Sequence, residues 1–331
     1  MKPLVLAAIA ATGLVLSASP AASAPPTPAL SFPLACEPGK TCEIQHYVDR
    51  DPGPGTRDYR CGLQTYDKHT GVDIRLLDMA AQRRGVAVLA AAAGRVARLR
   101  DGVQDISIRA PGAPSVANQE CGNGVVIDHG NGWETQYCHL ARGSISVKVG
   151  DAVAAGAPIA RVGLSGNTEF PHLHLTVRHA GQIVDPFAPD ASKPQSCGGQ
   201  TSLWTAQALA RMPYRQGAVL NAGFADAQVT MGQVEDGAVR APGGDAPLLV
   251  AYVRAIALLP GDEVELDLKG PDGKSLARHR GPPLQRWRAQ DFVLVGKRRP
   301  PMGWAHGVYV ADYRVWRGGK VAVSRRIEVR I

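Results

Sequence analysis

The chain has no Cys-x-x-Cys pair, no run of Lys and Arg interleaved with aromatics, and, beyond its first two dozen residues, no stretch apolar enough to cross a bilayer. The first absence argues against a thiolate zinc site, the second against a nucleic-acid partner, and the third against an internal transmembrane segment. Between residues 62 and 190 long helical periodicity is also missing, apart from a turn or two around 77–84, which leaves a β-type reading of that region. No His, Asp or Glu cluster at ligand spacing occurs after residue 202, where His279 and His306 stand alone.

What is present is a globular chain of 331 residues, 45% apolar and long enough for two ordinary domains. Its formal net charge of +8 suits an anionic partner. Lys2, an apolar core over 3–16 and small residues over 17–24 make a signal peptide, 1–24, so the mature protein is expected to be periplasmic or secreted. No cysteine near the cleavage region offers a lipid anchor. The six cysteines, an even set in an exported chain, read as disulfides. Cys121–Cys138 is the favoured pair because its members flank one predicted hairpin; the remaining connectivity is open.

A Pro/Ala-rich linker and an irregular, disulfide-tied arm fill 25–61. Strands are expected at 86–91, 94–100, 124–129, 135–139, 144–147, 158–162 and 172–178, with Asn131-Gly132 as a tight-turn signal. After a linker at 191–204, which a short helix at 203–211 overlaps, come strands at 228–231, 248–257, 263–269, 275–280, 287–295, 307–317 and 320–331. The fold class is therefore all-β: a mainly antiparallel sheet domain over 62–190 and an immunoglobulin-like β-sandwich over 205–331.

The chemistry-bearing residues lie in the first of these domains. In His172-Leu173-His174 the two imidazoles fall on one face of a strand while Leu173 and Leu175 face a core. His69-Thr70-Gly71-Val72-Asp73 places an imidazole and a carboxylate, both good zinc donors, at a bend or strand end. His139 closes the strand Thr135-Gln136-Tyr137-Cys138-His139, and His129, across the same hairpin, reads as a turn-flanking surface residue. Each feature alone has a bland reading: surface histidines, or a local hydrogen bond between His69 and Asp73.

Taken together, the ordered set from Tyr66 to Pro186 resembles the lysostaphin-like (LytM-type) zinc metallopeptidases of peptidoglycan. It comprises His69-x-Gly71-x-Asp73, Gly122-Asn123-Gly124 with Val125 to Gly132, Tyr137-x-His139-Leu140, Val147-Lys148-Val149-Gly150-Asp151 and Pro171-His172-Leu173-His174. The resemblance implies Zn2+ held by His69, Asp73 and His174, with His139 and His172 as the acid/base and oxyanion-stabilising pair. It also implies a peptidoglycan peptide as substrate, and the basic charge suits anionic cell-wall material met through the basic surface. Three protein ligands leave a coordination position open, as catalytic zinc requires. The pattern departs from the family at Phe170, where glycine is usual, and at Leu175-Thr176, where Phe-Glu is usual. The expected function is an exported zinc metalloendopeptidase of the cell wall. The alternatives are a secreted zinc protease acting on glycine-rich proteins and a non-enzymatic wall-binding or hydrolase-activating protein. Trp287, Trp304 and Trp316 are expected either in the core of the second domain or on a binding face.

Overall fold

The structure is a computed structural model and describes residues 27–190, 197–198 and 201–331; the signal-peptide reading lies outside them. The first unit contains β1 (Cys42–His46), β2 (Val72–Leu76), α1 (Met79–Arg84), β3 (Ala87–Leu89), β4 (Gly94–Arg100), β5 (Asn123–Gly130), β6 (Trp133–Leu140), β7 (Ala152–Val153), β8 (Pro158–Arg161), β9 (His172–His179), β10 (Gln182–Val184) and α2 (Ala206–Arg211). The strands β1-β2-β9-β6-β5-β4-β7 form one antiparallel sheet, with β10 added to β9. One face is sealed by Val72, Ile74, Leu76, Leu173, Leu175, Val177, Val125 and Ile127, together with Ala90, Ala91 and Ile159. The alternation of β9 follows from this, since leucines at 173 and 175 bury inward and turn His172 and His174 to the other face.

The arm before residue 61 is more ordered than expected. β1 is the edge strand of the main sheet, fully buried over its length, and the disulfide Cys36–Cys42 ties its start. Cys121–Cys138 is bonded as expected, Cys61–Cys197 completes the set, and no described cysteine is free. The segment 144–147 is not a strand: it follows the outside of β8 through an isolated Ser146 N–H to Ile159 carbonyl bond. Leu203, Trp204, Ala208 and Met212 pack into the first core, so α2 lies with the main sheet.

The second unit holds β11 (Ala218–Ala225), α3 (Met231–Asp236), β12 (Leu248–Leu258), β13 (Glu263–Lys269), β14 (Ser275–Arg280), β15 (Arg288–Arg298), β16 (Val308–Arg317) and β17 (Lys320–Arg330). Sheets β11-β12-β15 and β14-β13-β16-β17 face each other across a core of Leu249, Val253, Leu266, Leu268, Tyr309 and Tyr313. This is a seven-stranded sandwich; relative to the constant-type immunoglobulin arrangement, its fourth strand pairs with the third rather than the fifth. The strand expected at 228–231 is instead the entry to α3. Thr230 and Gln233 form a reciprocal capping box there, and two satisfied backbone N–H groups start a helix where β-propensity suggested a strand.

The two units meet across polar, buried contacts. Arg75 on β2 and Arg254 on β12, both fully buried, share the Glu235 carboxylate of α3. Arg75 also donates to Gln45 Oε1 at 2.6 Å, and Arg254 to the Leu77 carbonyl and to Asn221. Arg83 at the end of α1 donates to the Asp236 carbonyl.

Candidate metal centre

Strand register builds the site. His46 lies opposite Asp73, Asp73 opposite His174, and His174 opposite Cys138, so one row crosses β1, β2, β9 and β6. Facing residues in an antiparallel pair present side chains to the same side. The row therefore delivers His46, Asp73 and His174 to a single patch. His69 reaches it from the bend before β2. Gly71 in that bend is required by space: a Cβ there would stand 2.6 Å from His174 Nε2 and 2.6 Å from the Leu175 carbonyl oxygen.

His139 arrives differently. Regular alternation after Cys138 would carry the next side chain to the far face, but His139 has φ 60°, which breaks the alternation. Such a backbone costs a non-glycine residue on the order of 1 kcal/mol. The Cys121 carbonyl accepts its N–H, Gly163 N–H binds its carbonyl, and its Nδ1–H donates to the Ser165 carbonyl at 2.8 Å. The ring then lies 4.6 Å from that of His172 and 6.0 Å from that of His174.

Donor atoms of His69, Asp73 and His174 all lie within 4.8 Å of one another. His69 Nε2 is 3.1 Å and His174 Nδ1 2.9 Å from Asp73 Oδ1, and the two nitrogens are 3.2 Å apart. Donors around a tetrahedral zinc with bonds near 2.0–2.1 Å are separated by roughly 3.3 Å, so the triangle is the right size. The outer atoms hold the rings: His69 Nδ1–H donates to the Tyr47 carbonyl at 2.6 Å, and His174 Nε2 lies 3.1 Å from Thr176 Oγ1. Thr176 thus holds the ring of His174 from the position where the family pattern has glutamate. Such outer partners orient ligands and raise their basicity.

His46 was not among the residues picked out from the sequence. Its Nδ1–H donates to Asp73 Oδ2 at 3.0 Å, occupying the oxygen turned away from the donor triangle. A histidine in a cysteine-flanked segment was its only signal, and that segment read as an irregular arm. His172 donates Nδ1–H to the Phe170 carbonyl at 2.9 Å, which aims Nε2 at the site, 3.5 Å from Asp73 Oδ1. Phe170 fills the space beside it, with its ring 4.9 Å from that of His172 and the Arg75 guanidinium 4.0 Å above its centre. His129 lies outside the cluster and is held by the Ala93 carbonyl and Thr135.

The electrostatics keep the Asp73 carboxylate ionised. Burial alone would raise the Asp73 carboxyl, but the charges of His69 and His172 and hydrogen bonds from His172 and His174 hold it well below the usual carboxylate range. Burial would lower His69, yet the Asp73 carboxylate and the Tyr47 carbonyl raise it. Burial pushes His174 and His46 down, and burial together with the charges of His172 and His174 pushes His139 well down.

The compact His69/Asp73/His174 triangle, with the imidazoles of His46, His139 and His172 around it, could hold one metal ion. Residues 67–186 match the model of peptidase family M23. The chain is 33% identical over 145 residues to the DD-carboxypeptidase/endopeptidase Mpg of Neisseria meningitidis, covering 44% of this chain and 28% of that protein. It is 46% identical over 67 residues to the peptidoglycan DD-endopeptidase ShyA of Vibrio cholerae, covering 19% of this chain and 14% of that one. It is 44% identical over 62 residues to the murein hydrolase activator EnvC of Escherichia coli, again 19% of this chain and 14% of that one. The chain thus spans less than a third of the length of these relatives.

Proposed function

We propose that this protein is an exported zinc metalloendopeptidase that hydrolyses peptide bonds in bacterial peptidoglycan. The observation that carries the reading is the complete set on one face: the donor triangle of His69, Asp73 and His174 beside the inward-aimed Nε2 atoms of His139 and His172. Zinc bound there would supply Lewis acidity and lower the pKa of a bound water to about 7. His139, kept neutral by burial, has its Nδ1–H engaged with Ser165, so Nε2 offers a lone pair that can take a proton from attacking water. The same nitrogen, once protonated, returns the proton to the leaving amine. His172, with Nδ1–H held by the Phe170 carbonyl, would as an imidazolium present Nε2–H to the developing oxyanion. The net charge of +8 suits anionic cell-wall material, and no helix among the described residues is long and apolar enough to cross a membrane.

The test is digestion of purified peptidoglycan by the zinc-loaded chain, with released muropeptides identified by mass. New amine and carboxyl ends are expected, and chelation or His174→Ala should abolish them. Stoichiometric zinc without any new ends would defeat the hydrolase reading and leave an activating role.

A further inference from the structure

Beside the donor triangle, lined by His46, His139 and His172, lies a cleft of about 800 Å3 built by both units. The first unit contributes His139, His172 and Thr168; the second contributes Arg286, Trp287 and Gln290 from the β14–β15 connection and the start of β15. Trp287 faces His46, the ring that braces Asp73, with centroids 6.3 Å apart. This wall is not hung on a hinge, because the unit that bears it is locked to β2 through the buried Arg75–Glu235–Arg254 group.

The cleft is cationic, with Arg109, Arg286 and Arg288 against a single carboxylate, Glu169. Arg109 is paired with Glu169 at 2.7 Å, and Arg288 with Asp291 at 2.8 Å. Arg286 is exposed and has no carboxylate partner among the described residues. Beside it, the buried Trp287 Nε1 and Gln290 Oε1 lack hydrogen-bond partners, one a donor and the other an acceptor. An anionic peptide carries the counter-charge for Arg286.

We infer that the second unit completes the substrate cleft and selects an acidic peptide, with Arg286 receiving a substrate carboxylate. The inference rests on the peptidase reading and gives the accessory sandwich a direct part in substrate choice.

The experiment uses the full zinc-loaded chain and two synthetic peptides carrying the same scissile bond, one with free carboxylates and one fully amidated. A charge-assisted bond to arginine predicts an acid-to-amide ratio of kcat/KM of about 10 or more. Arg286→Gln should bring the ratio close to one, mainly through KM, Arg286→Lys should keep part of it, and Arg286→Glu should invert it. An unchanged ratio in Arg286→Gln and Arg286→Glu overturns the inference. If the unsubstituted protein cuts neither peptide, the peptidase reading fails separately. Fluorescence anisotropy of the labelled acid and amide peptides, compared between that protein and Arg286→Gln, then decides the wall's role. Equal affinities of the two peptides for the unsubstituted protein would also overturn it.

Discussion

Removing the Glu235 carboxylate should loosen the whole molecule and the site together. Glu235 Oε2 accepts from Arg75 Nη2 at 2.9 Å and from Arg254, and both arginine side chains are 0% exposed. Burial pushes Arg75 down to about 10, still protonated at neutral pH. Glu235→Ala would therefore leave two buried cations with only the neutral acceptors Gln45, Asn221 and backbone carbonyls. Breaking a buried pair from one side costs about 3–5 kcal/mol, a large share of the 5–15 kcal/mol that typically holds a domain. For a unit of this size that corresponds to a fall in Tm of roughly 6–20 °C, measurable by calorimetry. The effect should reach the chemistry, because Arg75 lies on Phe170 and Phe170 on His172. A lower kcat on a soluble peptide should accompany the lower Tm, and Glu235→Gln, which keeps an acceptor, should do less harm. A Tm within about 2 °C of the parent would mean that the pair is worth no more than a surface ion pair, and the locked interface would have to be abandoned.

Gly71→Ala should lose zinc while the protein stays folded, since the added methyl meets the His174 ring; metal analysis against circular dichroism separates the two effects. His139→Ala should keep its zinc yet lose activity by roughly a factor of 10² or more, and loss of metal equal to that of His174→Ala would show it to be a ligand. Asp185 is raised from 3.8 to about 6, chiefly by burial. Folding therefore favours its protonated form, and its contribution to stability is fully present below about pH 4 and lost as pH rises toward 6. The Tm of the parent should show that decline between about pH 4 and 6, and Asp185→Asn should flatten it. Thiol titration of the denatured, unreduced protein should find no free cysteine, in line with the three bridges.

The sequence by itself determined the parts of the site that local rules govern. Alternating leucines put His172 and His174 on one strand face, and the spacing of His69, Gly71 and Asp73 marked a bend carrying two donors. Paired β-runs and turn residues likewise marked most strands, and the even cysteine set marked a disulfide-bonded chain. Other features depend on partners distant in the chain, and only the tertiary structure decided them. β1 looked like a loop because its polar residues Glu43, Gln45 and His46 are buried; their partners are Arg215, Arg75 and Asp73, between 27 and 172 residues away. The left-handed backbone at His139 follows from the Cys121 carbonyl and the Gly163 N–H, which no local pattern encodes. Trp287 could serve a core or a surface equally well, and its place in the cleft was fixed when Glu235 joined Arg75 to Arg254, 160 and 19 residues from it in the chain. Side-chain direction along a strand is a short-range property, whereas the strand, loop or domain that covers a given face depends on contacts that form only when the chain is folded.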